Sequence, residues 1–187
     1  MVVQDGNVIA ADAKLTLDSD ALFRHPEFSD MEEEMTELEK AARDKGIAFV
    51  QLGGKVGVIA NGAGLTMATL DILSAEGITP GIFLDLGGTD DPEQIMTALR
   101  LMKMAEPSII LLNIFGGMTR CDTVAKGVIG VLKGEGLDIP LVVRIRGRNE
   151  IIGRKMLKEA GITAVDTIEE AVRAVASFEK KSGSTGI

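Results

Sequence analysis

Two glycine-bearing segments carry residue types able to hold a charged ligand: Asn61-Gly62-Ala63-Gly64, and the longer run from Asn113 to Asp122, NIFGGMTRCD. Glycine lets a backbone approach a ligand closely, and unbonded N–H groups at the start of a following helix attract an anion. That attraction is worth about 0.3–1 kcal/mol at an exposed helix end and about 2 kcal/mol where it is partly buried. Gly116 and Gly117 are thus candidates for cradling a phosphate. Glycine turns after strands also occur in α/β proteins that bind no anion, so either loop alone leaves both readings open. Neither is a dinucleotide fingerprint, because no third glycine follows Gly64 at the required spacing. No G-x-x-x-x-G-K-[ST] phosphate loop occurs anywhere in the chain.

The remaining reactive side chains are few. The chain has one cysteine and one histidine, which excludes an intrachain disulfide, a cysteine-built zinc site and a two-histidine metal motif. Cys121 follows Arg120 near an expected helix start, a setting that can lower a thiol pKa. No base accompanies it, and a buried structural cysteine is the favoured reading. His25, in Arg24-His25-Pro26, reads as a surface or packing residue. Asp85, before Leu86-Gly87-Gly88, can line a crevice or form a turn, with the turn favoured. Arg144 and Arg146 can meet an anion, although a surface position is the default for arginine. No residue of this chain is read as catalytic.

These loops need a scaffold, and residues 55–165 supply its pattern. Five apolar runs follow one another: KVGVIA (55–60), GIFLDL (81–86), SIILLNIF (108–115), IPLVVRI (139–145) and ITAV (162–165). They lack strict polar alternation, as strands buried on both faces do. Amphipathic stretches near 65–75, 92–104, 120–133, 149–159 and 167–178 separate and follow them, with Asp91-Pro92 and Thr167 as helix-start signals. Strands alternating with helices predict a doubly wound five-stranded parallel α/β sheet, flavodoxin-like, in the order 2-1-3-4-5. Ligands of such sheets meet the carboxyl ends of strands 1 and 3, where the order reverses, and both glycine loops fall there.

Residues 1–54 form an appendage with too little apolar material for a core of its own. Residues 2–15 read as a hairpin with its turn at Asp5-Gly6, 17–30 as a loop, and 30–45 as an acidic helix that Asp30 could cap. The expected division is 1–54, 55–180 and a flexible tail at 181–187. With a net charge of −8, the chain is not a basic nucleic-acid binder. No run approaches the ~18 apolar residues of a membrane span, and no secretory signal opens the sequence, so a soluble cytoplasmic protein is expected.

GVIANGAGLTMATLDIL, FLDLGG, LLNIFGGMTRCD and the GNN-like GRNE together resemble the C-terminal domain of the succinate–CoA ligase (succinyl-CoA synthetase) β subunit, over residues 55–180. DAKLTLDSDALFRHPEF resembles the end of that family's ATP-grasp domain. The resemblance implies an NDP-forming ligase that couples succinyl-CoA formation to nucleoside triphosphate through a phosphohistidine on an α subunit. It implies that the helix beginning near Gly117 points its N-terminus at that phosphohistidine. Asn61, Gly117, Met118 and Thr119 would contact succinate, and Asp12 would be a Mg2+ ligand. ATP/ADP or GTP/GDP would bind the rest of the subunit, and coenzyme A would bind the α subunit. A eukaryotic member would work in the mitochondrial matrix.

The family's second magnesium ligand, an Asn in an N-P-L run before the D-x-K motif, has no counterpart here. D-G-K is D-A-K. The chain is accordingly expected to be a fragment, a truncated subunit or a split gene product, inactive as a ligase alone. Two rival readings stay open: a non-catalytic binding or docking module, and the β part of a malate–, citrate– or acetate–CoA ligase.

Overall fold

A computed structural model describes residues 2–4, 6–9, 17, 24–28 and 35–183. The chain divides into two compact units, Met1–Met35 and Thr36–Ile187. In the first, β1 (Val2–Gln4) and β2 (Asn7–Ile9) pair antiparallel with Val2 opposite Ile9. Gly6 sits between them at φ 77°, a left-handed conformation that glycine adopts without steric cost, so the expected hairpin forms. Asp5, Asp12 and Asp30 lie outside the described residues. His25 is exposed, with Nδ1 3.1 Å from the Glu27 carboxylate, beside the 3-10 turn Pro26–Phe28.

The second unit opens with α1 (Glu37–Arg43). Its cap is Thr36 rather than the expected Asp30: the Glu39 N–H donates to the Thr36 hydroxyl at 3.2 Å while the Thr36 N–H donates to the Glu39 carboxylate at 2.8 Å. That reciprocal pair is a capping box, formed by the run Thr36-Glu37-Leu38-Glu39. β3 (Ala48–Gln51), β4 (Val56–Ala60), α2 (Ala63–Ala75), β5 (Pro80–Asp85), α3 (Pro92–Met104), β6 (Ile109–Gly116), α4 (Cys121–Gly134), β7 (Leu141–Gly147), α5 (Glu150–Glu159) and α6 (Ile168–Gly183) follow. α6 extends into the expected tail, of which 184–187 lie outside the described residues.

The sheet runs β3-β5-β4-β6-β7. β5, β4, β6 and β7 are parallel, in the expected order 2-1-3-4. The fifth strand differs from expectation. It is β3, antiparallel on the outer side of β5, with Ala48 opposite Asp85. Residues 162–165 make only a single parallel bridge, Val165 to Arg144. The Arg154 guanidinium donates to the carbonyls of Ala164 at 2.8 Å and Val165 at 3.0 Å, so a side chain takes acceptors that a further strand would use.

Both faces of the sheet are covered, which is why its strands lack polar alternation. Ile59, Leu84, Ile110, Leu112, Ile114 and Ile145 point to one core with α1, α3, α4 and α5. Val56, Val58, Ile109 and Leu111 point to another with α2 and α6, where Val172 and Val175 are buried and Ile168 packs alongside. Each such side chain contributes about 1.5–3 kcal/mol on burial, and this fixes the strand register that aligns the loops. Among the described residues, no helix is long and apolar enough to cross a membrane.

Candidate functional site at the carboxyl edge of the sheet

β4 and β6 are neighbours, with Ala60 opposite Asn113, so their loops leave the sheet side by side. The Asn61 amide closes the gap. Its Nδ2 donates to the Phe115 carbonyl at 3.0 Å and its Oδ1 accepts from the Phe115 N–H at 2.9 Å. Asn61 thus acts as one more rung of the ladder, tying the start of one glycine loop to the start of the other. Asp85 performs the same task toward β5. One carboxylate oxygen accepts from the Gly62 N–H at 2.6 Å and the Gly87 N–H at 2.8 Å.

α2 then begins without a side-chain cap. Its N-cap is Gly62 at φ 91°, and its first turn holds no acidic residue. The N–H groups of Ala63, Gly64 and Leu65 have no partner among the described residues, and Ala63 and Gly64 are exposed. α3, by contrast, is capped by Asp91, which accepts from Glu93 N–H at 3.0 Å. A buried relay fixes α2: Arg144 Nη1 donates to Asn113 Oδ1 at 2.8 Å, Asn113 Nδ2 to Thr69 Oγ1 at 2.8 Å, and Thr69 Oγ1 to the Leu65 carbonyl at 2.7 Å. Burial lowers the pKa of Arg144 from its ordinary value, with Arg146 adding repulsion. Sequence reasoning treated Arg144 singly and missed this relay; its signal was two polar residues, Asn113 and Arg144, inside strands otherwise apolar.

In the second loop, Gly116 is buried and paired with Gly147 in register. A Cβ on Gly116 would press on Arg148 N and Cys121 Sγ at 3.0 Å each, so only glycine fits without displacement. Gly117 is exposed, and its N–H donates to the Phe115 carbonyl at 3.1 Å, the acceptor already used by Asn61. The amides of Met118 and Thr119 have no partner among the described residues. Met118 is 72% exposed, whereas Thr119 is fully buried. Thr119 Oγ1 accepts from the Thr89 N–H at 3.2 Å, so that hydroxyl braces the loop after β5.

Ionic contacts lock the same loops. Asp90 accepts from Thr123 Oγ1 at 2.6 Å and lies 3.0 Å from Arg120 Nε; the Thr123 hydroxyl, then Arg120, holds its carboxyl below the ordinary carboxylate range. Asp122 is likewise lowered, chiefly by Asn149 Nδ2 at 2.8 Å. Cys121 is not an activated thiol: burial, with Glu150 and Asp122 adding to it, pushes it up to about 11. The expected sites Asn61, Gly116, Gly117, Met118 and Thr119 therefore meet at one edge. Asp12 lies outside the described residues, and no cluster of three or more His, Cys, Asp or Glu able to hold a metal occurs among those described. Sequence reasoning also missed the apolar rim of this edge, Phe115, Met118, Ile151 and Ile152. The arrangement can present main-chain donors to an anion.

The family model for CoA-ligase matches residues 59–178, a span that contains both glycine loops and all four parallel strands apart from the first residues of β4. The chain belongs to the CoA-ligase family. Among curated CoA-ligase relatives, it is 48% identical over 179 residues to the succinate–CoA ligase [ADP-forming] subunit beta of Cupriavidus taiwanensis, covering 91% of this chain and 45% of that one. It is 44% identical over 187 residues to the same subunit of Bdellovibrio bacteriovorus, covering 96% and 48%. This CoA-ligase chain thus spans about half the length of the curated relatives it matches. Among solved structures, ATP citrate lyase from Methanothrix soehngenii, in complex with citrate and coenzyme A, aligns at TM-score 0.64 and 18% identity over 82% of this chain and 49% of that one. PH0766 from Pyrococcus horikoshii aligns at 0.60 and 16%, over 74% and 38%. At those identities the likeness is one of fold.

Proposed function

We propose that this chain is the C-terminal part of a succinate–CoA ligase β subunit, and that its carboxyl edge receives a phosphohistidine carried by an α-type subunit. The observation that carries the reading is the Asn61–Phe115 clasp, which ties the loop that opens α2 to the loop that carries the exposed Met118. The resemblance to succinate–CoA ligase β subunits over 91% of the chain supports it. In the reaction, a succinate carboxylate attacks the phosphorus of the phosphohistidine, the P–N bond breaks, and succinyl phosphate forms. The coenzyme A thiolate then attacks the acyl carbon and releases inorganic phosphate. This chain's part is to hold phosphoryl and carboxylate oxygens with fixed main-chain donors that offer no competing nucleophile. Nucleotide and Mg2+ chemistry belongs to the remainder of a full-length subunit, with Asp12 as a proposed Mg2+ ligand.

A half-reaction tests this without a nucleotide site. The α subunit of the Cupriavidus taiwanensis ligase, isolated in its phosphorylated form, is mixed with coenzyme A, succinate and this chain. Succinate-dependent loss of phosphohistidine with formation of succinyl-CoA is expected. Asn61→Ala should slow it at least tenfold, because a misplacement near 1 Å costs on the order of a hundredfold. A rate unaffected by adding the chain contradicts the proposal.

A further inference from the structure

A chain of polar side chains crosses the sheet beneath α2, and packing does not call for it. Arg144 stands opposite Asn113 in the register of β7 and β6, and Asn113 stands opposite Ala60, the residue before Asn61. Leu70 and Leu73 already seat α2 on that face, against Val56, Val58 and Leu111. Asn113 and Thr69 are nonetheless polar and buried. Arg144 is half-buried, and no carboxylate lies within ion-pair distance of it among the described residues; Glu169 and Glu150 act on it only through space. Its Nε is buried without a hydrogen-bond partner. Burying a cation and leaving one of its donors unpaired costs stability, so stability does not account for this arginine.

The relay has a fixed polarity. Arginine carries donors alone. Its Nη1, 2.8 Å from Asn113 Oδ1, makes that oxygen the acceptor and turns the amide Nδ2 toward Thr69 at 2.8 Å. Thr69 Oγ1 accepts that bond and gives its own proton to the Leu65 carbonyl at 2.7 Å. Leu65 lies in the first turn of α2, whose Ala63, Gly64 and Leu65 amides have no partner among the described residues. The relay therefore ends on the turn that carries the free donors. Beside it, the buried Thr66 hydroxyl donates to the Gly62 carbonyl at 3.0 Å and holds the other end of the same turn.

We propose that Arg144 is a positioning residue for phosphoryl transfer at this edge: through Asn113 and Thr69 it sets the direction of the first-turn amides of α2. The inference rests on the reading under Proposed function and adds to it a group that acts from beneath the helix, through other residues. Without the Arg144 donors the Asn113 amide is free to turn over, and a turned amide offers Thr69 an acceptor in place of a donor. The Thr69 hydroxyl then donates to Asn113 and releases the Leu65 carbonyl. Main-chain dipoles aid a reaction through their fixed alignment with the charge that develops in the transition state, so this release lowers the maximal rate.

Single turnovers of the phosphorylated Cupriavidus taiwanensis α subunit test the proposal, with coenzyme A, saturating succinate and the full chain in excess at rising concentration. Under those conditions a smaller folded fraction shifts the half-saturating chain concentration and leaves the plateau rate unchanged. T69V, which keeps the shape of threonine and removes the hydroxyl, and R144M are expected to lower the plateau rate at least tenfold. T69S, which keeps the hydroxyl, should stay within threefold of wild type, and R144K, which keeps a cationic donor, should recover part of the loss. T69V decides the matter where R144M does not fold. A T69V plateau within twofold of wild type, or a T69S loss as large as that of T69V, overturns the positioning role while the ligase reading stands. A wild-type chain that gives no succinate-dependent loss of phosphohistidine overturns the ligase reading and this inference with it.

Discussion

Asn61 uses both ends of its amide on one residue of β6, and this gives a residue-scale account of why an asparagine stands there. Aspartate has no donor for the Phe115 carbonyl, and alanine has neither group. The glycine loops were readable in the sequence because turns after strands demand them, whereas the Asn61 clasp was not, because it reaches Phe115 across 54 residues. Thr119 was named in the sequence for a succinate contact, and its hydroxyl brace to Thr89, thirty residues away, was not readable there. Cys121 supplies a test at this scale. Its folded pKa of about 11 lies above the ordinary value of 9.0. At pH 8 the thiolate fraction is then about a hundredfold below that of an ordinary thiol, so native chain should react with a disulfide reagent at least that much more slowly than denatured chain. The sign for stability follows: the contribution is complete below about pH 9 and is lost as pH rises toward 11, because the unfolded thiol ionises first. Denaturant midpoints across that range should fall, and Cys121→Ser should remove that part of the fall. A native thiol that reacts at the denatured rate contradicts the buried placement.

At the scale of elements, four parallel strands were readable because burial on both faces leaves runs of Val, Ile and Leu without strict polar alternation. β3 escaped notice because it is four residues long, antiparallel and half-buried, with only Phe49 and neighbouring Ile47 marking its inner side. Residues 162–165 were over-read as a strand for the converse reason. Their composition is that of a strand, yet Arg154 binds the Ala164 and Val165 carbonyls and also meets Asp166 at 2.8 Å. Arg154→Ala removes two charge-assisted bonds at once and should destabilise the chain by about 2 kcal/mol. Urea titration measures that loss, and hydrogen exchange at Val165, whose N–H donates to Val143 at 2.9 Å, should quicken in the same variant. A loss below about 0.5 kcal/mol with unchanged exchange removes the stapling role from Arg154.

For the molecule as a whole, strand order determines where the glycine loops sit. Placing β4 and β6 side by side, with helices leaving in opposite directions, brings the two glycine loops together at one edge of the sheet. The brace from Asp85, Thr119, Asp90 and Asp122 then holds the loops after β4, β5, β6 and β7 against each other. The family was legible from the motifs of those loops, whereas the apolar rim was not, because Ile151-Ile152 in a sequence reads as core. The most direct measurement is hydrogen exchange along the full chain with and without the phosphorylated Cupriavidus taiwanensis α subunit. The account predicts slowed exchange in 61–67, 115–120 and 147–152 together, with α3 and the outer face of α4 unchanged. Protection confined to α3 and α4, with those three segments exchanging as in the free chain, would contradict it.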